Sequence, residues 1–214
     1  MGLVVTVAQQ KGGAGKTSLA AHLACAWGGA EAKPRRKIVL FDLDPQASLT
    51  AWFELRAQKL GQDPNIELRK INPWAAASEI EAAKQSADIV IVDSPPHTET
   101  ENRIPIRSAD IVVVPVQLSP MDVWASKPTL ELIGKESRIA LVVLNRVPSR
   151  ARLAGELVAQ LKRDKVPLAR SALGNRVIYA ASLMEGRGVT EAEPYSVAAA
   201  EIRLLANEVL RKAA

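Results

Sequence analysis

The segment Lys11-Gly12-Gly13-Ala14-Gly15-Lys16-Thr17-Ser18 constrains this chain more than any other, because of what flanks it. An apolar run, Leu3–Ala8, precedes it, and a helical pattern, Thr17–Trp27, opens inside it. Strand, glycine-rich turn and helix in that order make a cradle for phosphate. Glycines let successive backbone N–H groups converge on anionic oxygens, and the first helical turn adds its dipole. Lys16 supplies a point charge to β- and γ-phosphates, and the Thr17 hydroxyl is a magnesium ligand. The strict pattern G-x-x-x-x-G-K-[ST] fails, since Gln10 holds the first glycine position and an extra lysine, Lys11, follows it. A dinucleotide fingerprint fits less well, because Ser18 stands where its third glycine would be.

Beyond this segment the chain alternates strand-like and helix-like stretches. Leu3–Ala8, Lys37–Phe41, Asp88–Val92, Asp110–Val114 and Ile139–Leu144 are short runs rich in Val, Ile and Leu, with Ile66–Ile71 as a possible edge strand. Near-continuous apolar runs suit strands covered on both faces of a parallel sheet. Helices are expected over Thr17–Trp27, Ala47–Leu60, Ala75–Ser86, Met121–Gly134, Arg152–Arg163 and the closing Tyr195–Ala214. The β-α-β-α order predicts a doubly wound α/β fold, mostly parallel, with helices on both faces. Ala30–Arg36 and Val147–Arg150 read as surface loops rather than linkers, so residues 1–214 are expected to form one domain.

Two of these strands end in acids, where a parallel sheet presents a nucleotide site. Phe41-Asp42-Leu43-Asp44-Pro45-Gln46 ends one of them. Ile89-Val90-Ile91-Val92-Asp93-Ser94-Pro95-Pro96 ends the other, a Walker B pattern in which Asp93 holds magnesium through water. Asp-Pro and Asp-Ser turns after strands are common without function. Two of them on apolar strands that follow a phosphate loop are hard to assign to chance.

Composition narrows the classes further. Cys25 is the only cysteine, which excludes a disulfide framework within the chain and fits a reducing compartment. No apolar run approaches the roughly 18–20 residues that span a bilayer, so an intracellular soluble protein is expected. Of the net +5, residues 1–145 contribute nothing, whereas residues 146–214 carry 12 Lys+Arg against 7 Asp+Glu. Such an excess is a solvated surface or a basic patch for a polyanion.

Lys11, Lys16 and the glycine spacing resemble the deviant Walker A motif of the ParA/MinD family of ATPases, and the resemblance extends over nearly the whole chain. It implies the P-loop NTPase fold, ATP and Mg2+ as ligands, and a homodimer in which Lys11 reaches the partner's nucleotide. By the same resemblance Asp42-Leu43-Asp44-Pro45-Gln46 is a switch segment, with Asp44 orienting the attacking water and Asp42 supporting the metal's water shell. Asn145, at the end of a strand, would contact adenine. The stretch Pro115-Val116-Gln117-Leu118-Ser119-Pro120-Met121-Asp122-Val123-Trp124, and later Arg176–Ser182 with Gly186–Val189, are similar to short ParA proteins that lack an N-terminal helix-turn-helix domain. That likeness implies an ATPase with weak intrinsic activity that binds nucleoid DNA non-specifically in the cytoplasm. It would position a plasmid, chromosome or large assembly under the control of a ParB-like or other adaptor. The basic C-terminal region would supply the DNA surface, with Arg176 and Arg187 first and Arg203 after them.

A MinD-like membrane-surface ATPase is the alternative, and it needs a terminal amphipathic helix free to lie on lipid. An iron–sulfur carrier of the same superfamily lacks its second thiolate, since Cys25 stands alone on the core side of the first helix. His22 reads as a helix-face residue, and His97 follows Pro95-Pro96 in the expected switch region. Trp27, Trp52, Trp74 and Trp124 are packing or adaptor contacts.

Overall fold

The computed structural model describes residues 1–71, 73–96, 99–148 and 152–214; His97 and Arg150 lie outside them. The described strands are β1 (Leu3–Val7), β2 (Ile38–Asp42), β3 (Ile66–Arg69), β4 (Ile89–Asp93), β5 (Ile111–Gln117) and β6 (Ile139–Asn145). They form one sheet in the order β3-β2-β4-β1-β5-β6, and every described ladder is parallel. The helices are α1 (Lys16–Gly28), α2 (Ser48–Leu60), α3 (Ala76–Lys84), α4 (Glu99–Ser108), α5 (Pro120–Lys135), α6 (Arg152–Arg163), α7 (Val177–Met184), α8 (Val189–Ala192) and α9 (Val197–Ala213).

The unbroken apolar strands have a simple cause. Alternate residues of one strand face two different cores. Val5, Val7, Leu40 and Ile91 join α1 and α9 on one face. Val4, Val39, Phe41 and Val92 join Ile80 of α3 on the other. At the far side of that second face, Val112, Val114 and Val142 pack against Leu132 and Ile133 of α5 and Leu161 of α6. Each such fully buried side chain contributes about 1.5–3 kcal/mol.

The expected strands and long helices are found, with β5 and β6 running a little further than their apolar cores suggested. Three helices, α4, α7 and the four-residue α8, were not expected. In α4, Pro105 interrupts a mostly polar stretch, so no apolar period announces it; Ile106 is nevertheless fully buried, and the Pro105 carbonyl accepts from the Thr6 hydroxyl. The α7 helix is short and lies against α1 and α9, through Ile178, Tyr179 and Leu183.

The expected closing helix packs into the domain. Ile202, Leu205, Ala206 and Val209 of α9 are all buried, and Ser196 caps it by accepting from the Ala199 N–H. No described helix is long and apolar enough to cross a membrane.

A buried ionic knot joins α2 to the α7–α8 turn. Arg56 is fork-paired to Glu191 at 2.7 and 2.8 Å, also reaches Asp63 at 2.9 Å, and donates to the Gly186 carbonyl. Its guanidinium lies over Trp52, with Cys25 beside it. Removing Glu191 takes both fork bonds from a buried guanidinium and leaves it only Asp63, which Arg35 shares, so the cost approaches the about 3–5 kcal/mol of a broken buried pair. Glu191→Ala is therefore expected to lower unfolding free energy by about that amount in a urea titration. A loss under 1 kcal/mol, on the scale of an exposed pair, would show that the knot is solvent-relaxed.

His22 lies at the edge of this region. Burial pushes its imidazole down to about 4, so it is neutral, and its Nδ1 accepts from the Val189 N–H at 3.1 Å. It is a packed core histidine on a buried face of α1.

Candidate nucleotide site

Parallel register brings the sequence motifs to one edge of the sheet. Val7, the last residue of β1, pairs with Asp93, and Asp93 pairs on its other side with Asp42. The turn itself needs its glycines: Gly13 and Gly15 have φ of 74° and 97°, a left-handed conformation that side chains resist. A Cβ on Gly15 would also sit 2.5 Å from the Asn145 amide nitrogen. Helix α1 starts at Lys16 with no side-chain cap, so its first N–H groups are left to a ligand.

Two strand-end amides hold the loop. Gln117, at the end of β5, donates to the Gly13 carbonyl at 3.1 Å, and Asn145, at the end of β6, donates to the Ala14 carbonyl at 2.9 Å. Gln9 is tied to Thr129 and the Pro115 carbonyl underneath. These two bonds pin the Gly13 and Ala14 carbonyls from the strand ends. Asn145 was expected on the base; it braces the loop and also borders a cavity of about 370 Å³ beside Gly15 and Ser18. Gln9 and Gln117 were not singled out from sequence, although a lone polar residue closing an apolar strand was the available signal.

A second cavity, about 500 Å³, is lined by Gly12, Lys16, Thr17, Ser18, Asp44 and Gln46 among others. Lys16 is buried, and burial lowers its pKa while Asp93 and Asp44 pull it back. Asp93 is fully buried, and desolvation raises its carboxyl to about 7, opposed by the Thr17 hydroxyl and Lys16. Neither Asp93 oxygen has a hydrogen bond of good geometry. A buried carboxylate with unmet oxygens, one Thr hydroxyl beside it and a cationic lysine opposite is a fit for magnesium held mainly by phosphate and water. No cluster of three or more His, Cys, Asp or Glu residues that could hold a metal occurs among the described residues.

The two acids at the end of β2, Asp42 and Asp44, differ. Asp42 accepts from the Thr50 N–H and hydroxyl at 2.8 and 2.9 Å and from the Asp44 N–H, so it organises the start of α2 as well as facing Asp93. Asp44 is held by the Gln46 N–H at 2.9 Å, in a turn closed by the Ala47 N–H on its carbonyl. It remains at the cavity wall.

Lys11 stands apart from Lys16. Its ammonium pairs with Asp122 at 2.5 Å, on the first turn of α5. Burial alone would raise the Asp122 carboxyl, but the Lys11 and Ser119 bonds outweigh it and hold it below its ordinary value. Met121 and Trp124 are exposed on either side.

The three arginines expected on DNA differ in what holds them. Arg176 is bound by Glu201 at 2.7 Å and borders the cavity beside Ser18. Arg203 is engaged by the Pro194 and Thr190 carbonyls. Arg187 is exposed and borders a separate cavity with Lys59 and Glu193.

The family model of the CobQ/CobB/MinD/ParA nucleotide binding domain matches residues 5–188. Maintenance of carboxysome distribution protein A of Halothiobacillus neapolitanus is 27% identical over 213 residues, covering 96% of this chain and 95% of that protein. Chromosome-partitioning ATPase Soj of Thermus thermophilus is 27% identical, with 97% and 95% covered. Among solved structures, McdA of Cyanothece in an ATP complex superposes with a TM-score of 0.78 at 17% identity, over 97% and 95% of the two chains. MinD of Pyrococcus horikoshii complexed with Mg-ADP gives 0.77 at 19% identity, over 98% and 96%.

Proposed function

Since this chain belongs to the CobQ/CobB/MinD/ParA nucleotide-binding family, we propose that it is a Mg-dependent positioning or partition ATPase that closes into a dimer on ATP. It then holds non-specific duplex DNA and moves a cargo through adaptor-stimulated hydrolysis. The observation that carries the dimer is the placement of its two lysines. Lys16 is buried in its own cradle, whereas Lys11 is turned out of it onto Asp122. An ion pair whose lysine is 40% exposed is worth on the order of 1 kcal/mol or less, so a second subunit's phosphates compete well for Lys11. Exposed Met121 and Trp124 beside Asp122 give that second copy an apolar surface to cover.

In this reading the loop N–H groups and Lys16 bind the triphosphate. Thr17 would hold magnesium, with Asp93 and Asp42 on its water shell, and a bound ion would supply charge to neutralise that developing on the phosphate. Asp44 orients the attacking water. After hydrolysis the γ-phosphate no longer holds Lys11, which returns to Asp122, and the dimer loosens. Relatives named for chromosome partitioning and carboxysome distribution support this class of function.

Lys11→Ala is expected to keep ATP binding by the single subunit and to lose the ATP-dependent doubling of mass in light scattering. Doubling in the variant would overturn the role of Lys11. The apolar face of α9 is spent in the core, so α9 itself is not free to lie on lipid. Sedimentation with duplex DNA and with anionic liposomes, each with ATP and with ADP, separates the DNA reading from the membrane one. Binding strengthened by ATP is expected on DNA; ATP-dependent binding to liposomes alone would overturn the reading.

A further inference from the structure

The two cavities beside the phosphate loop share three residues of their walls: Gly15, Ser18 and Arg146. Gly15 and Ser18 belong to the loop and the first turn of α1. Arg146, one residue past β6, belongs to none of the sequence motifs. The larger cavity is the phosphate side, with Lys16, Thr17 and Asp44 in its wall. The smaller has Leu173, Val177 and Ala180 in its wall, apolar side chains suited to a flat base. A nucleotide with phosphates in one and base in the other has to cross the strip that these three residues mark.

The backbone of Arg146 is fixed there against its own preference. Its φ is 53°, a left-handed conformation that is costly for a residue with a side chain and persists only where the surroundings impose it. The surroundings do impose it. The Arg146 N–H donates to the Asn145 Oδ1 at 2.9 Å, and the Val147 N–H donates to the Leu173 carbonyl at 2.9 Å. The Asn175 N–H then closes on the Val147 carbonyl at 2.8 Å. Because Asn145 also donates to the Ala14 carbonyl, one amide ties the phosphate loop and Arg146 together.

Charge separates Arg146 from its neighbour across the smaller cavity. Arg176 is paired with Glu201 at 2.7 Å, and Glu201 also takes the Tyr179 hydroxyl at 2.7 Å, so both are committed to the wall. Arg146 is exposed, and among the described residues no acid pairs with it.

We propose that Arg146 is a nucleotide-binding residue that grips the junction of sugar and phosphates, bonding the α-phosphate of ATP and of ADP alike. This rests on the nucleotide reading above and adds to it a contact indifferent to the γ-phosphate. Lys11, in that reading, answers the γ-phosphate and lets go after hydrolysis. Arg146 holds on, so each subunit keeps its ADP while the dimer loosens. A guanidinium at an open cavity mouth suits the task, since water solvates it when the site is empty and phosphate pairs with it when the site is full.

The test is calorimetric titration of the full chain with ADP–Mg and with a non-hydrolysable ATP analogue and magnesium. Arg146→Ala is expected to weaken both by the same factor, about tenfold, the size of one charge-assisted hydrogen bond. Arg146→Lys should recover most of that loss, because the ammonium keeps a positive charge at the junction. Arg146→Gly relaxes the left-handed backbone, so it should bind as weakly as Arg146→Ala and melt no lower than the unaltered chain. Unchanged ADP affinity in Arg146→Ala, a loss confined to the ATP analogue, or a lysine variant as weak as the alanine one would each overturn the proposal. If the unaltered chain bound neither nucleotide, the nucleotide site itself would fall; if it bound both and Arg146→Ala matched it, only the role of Arg146 would.

Discussion

Lys16→Ala is expected to give no resolvable heat on titration with ATP–Mg, while the unaltered chain binds. The reason lies in the surroundings of the ammonium. Lys16 is buried, its charge is disfavoured by that burial, and Asp93 and Asp44 oppose the downward shift. A bound triphosphate adds further negative charge to the same enclosed space. Truncating one partner of a buried, hydrogen-bonded charge pair costs about 2–5 kcal/mol, which is a loss of about thirtyfold to more than a thousandfold. The fold should survive, because the Lys16 side chain belongs to none of the apolar cores, and a thermal melt checks this. Unchanged affinity in a folded variant would remove the phosphate cradle as the nucleotide site.

The cradle was legible because its chemistry is local. Glycines at left-handed positions, a lysine opening a helix and acids closing apolar strands are all written within a few residues of one another. The parallel sheet was legible for the same reason, since two-sided burial makes Ile89–Val92 and Ile111–Val116 read as unbroken apolar runs. Pairings across the chain were not. Asp122 is 111 residues from Lys11, and Glu191 is 135 from Arg56, so neither ion pair leaves a mark on the sequence around it. Arg176 shows the consequence: as a residue in a basic region it reads as a DNA contact, yet Glu201 on α9 holds its guanidinium. Charge counted along the chain located the excess correctly and could not say which members were already paired.

Asp44 carries the second large effect, on turnover rather than binding. Its Oδ1 accepts from the Gln46 N–H, and the Ala47 N–H closes the turn on its carbonyl, so the carboxylate is fixed at the wall of the phosphate cavity. That geometry suits a group that orients or deprotonates water, a role worth about 10²–10⁴ in rate. Asp44→Ala is expected to bind ATP and to lose hydrolysis by about that factor, so that light scattering finds a dimer that persists after ADP would normally have formed. Because alanine also removes the acceptor for Gln46, the amide variant is the sharper probe. Asp44→Asn keeps an oxygen for the Gln46 N–H and loses only the carboxylate's charge and basicity. If the turn alone mattered, Asp44→Asn would hydrolyse ATP at the unaltered rate, and the assignment to Asp44 would fall. A slow Asp44→Asn with intact ATP affinity and a long-lived dimer places the timing of release on this one carboxylate.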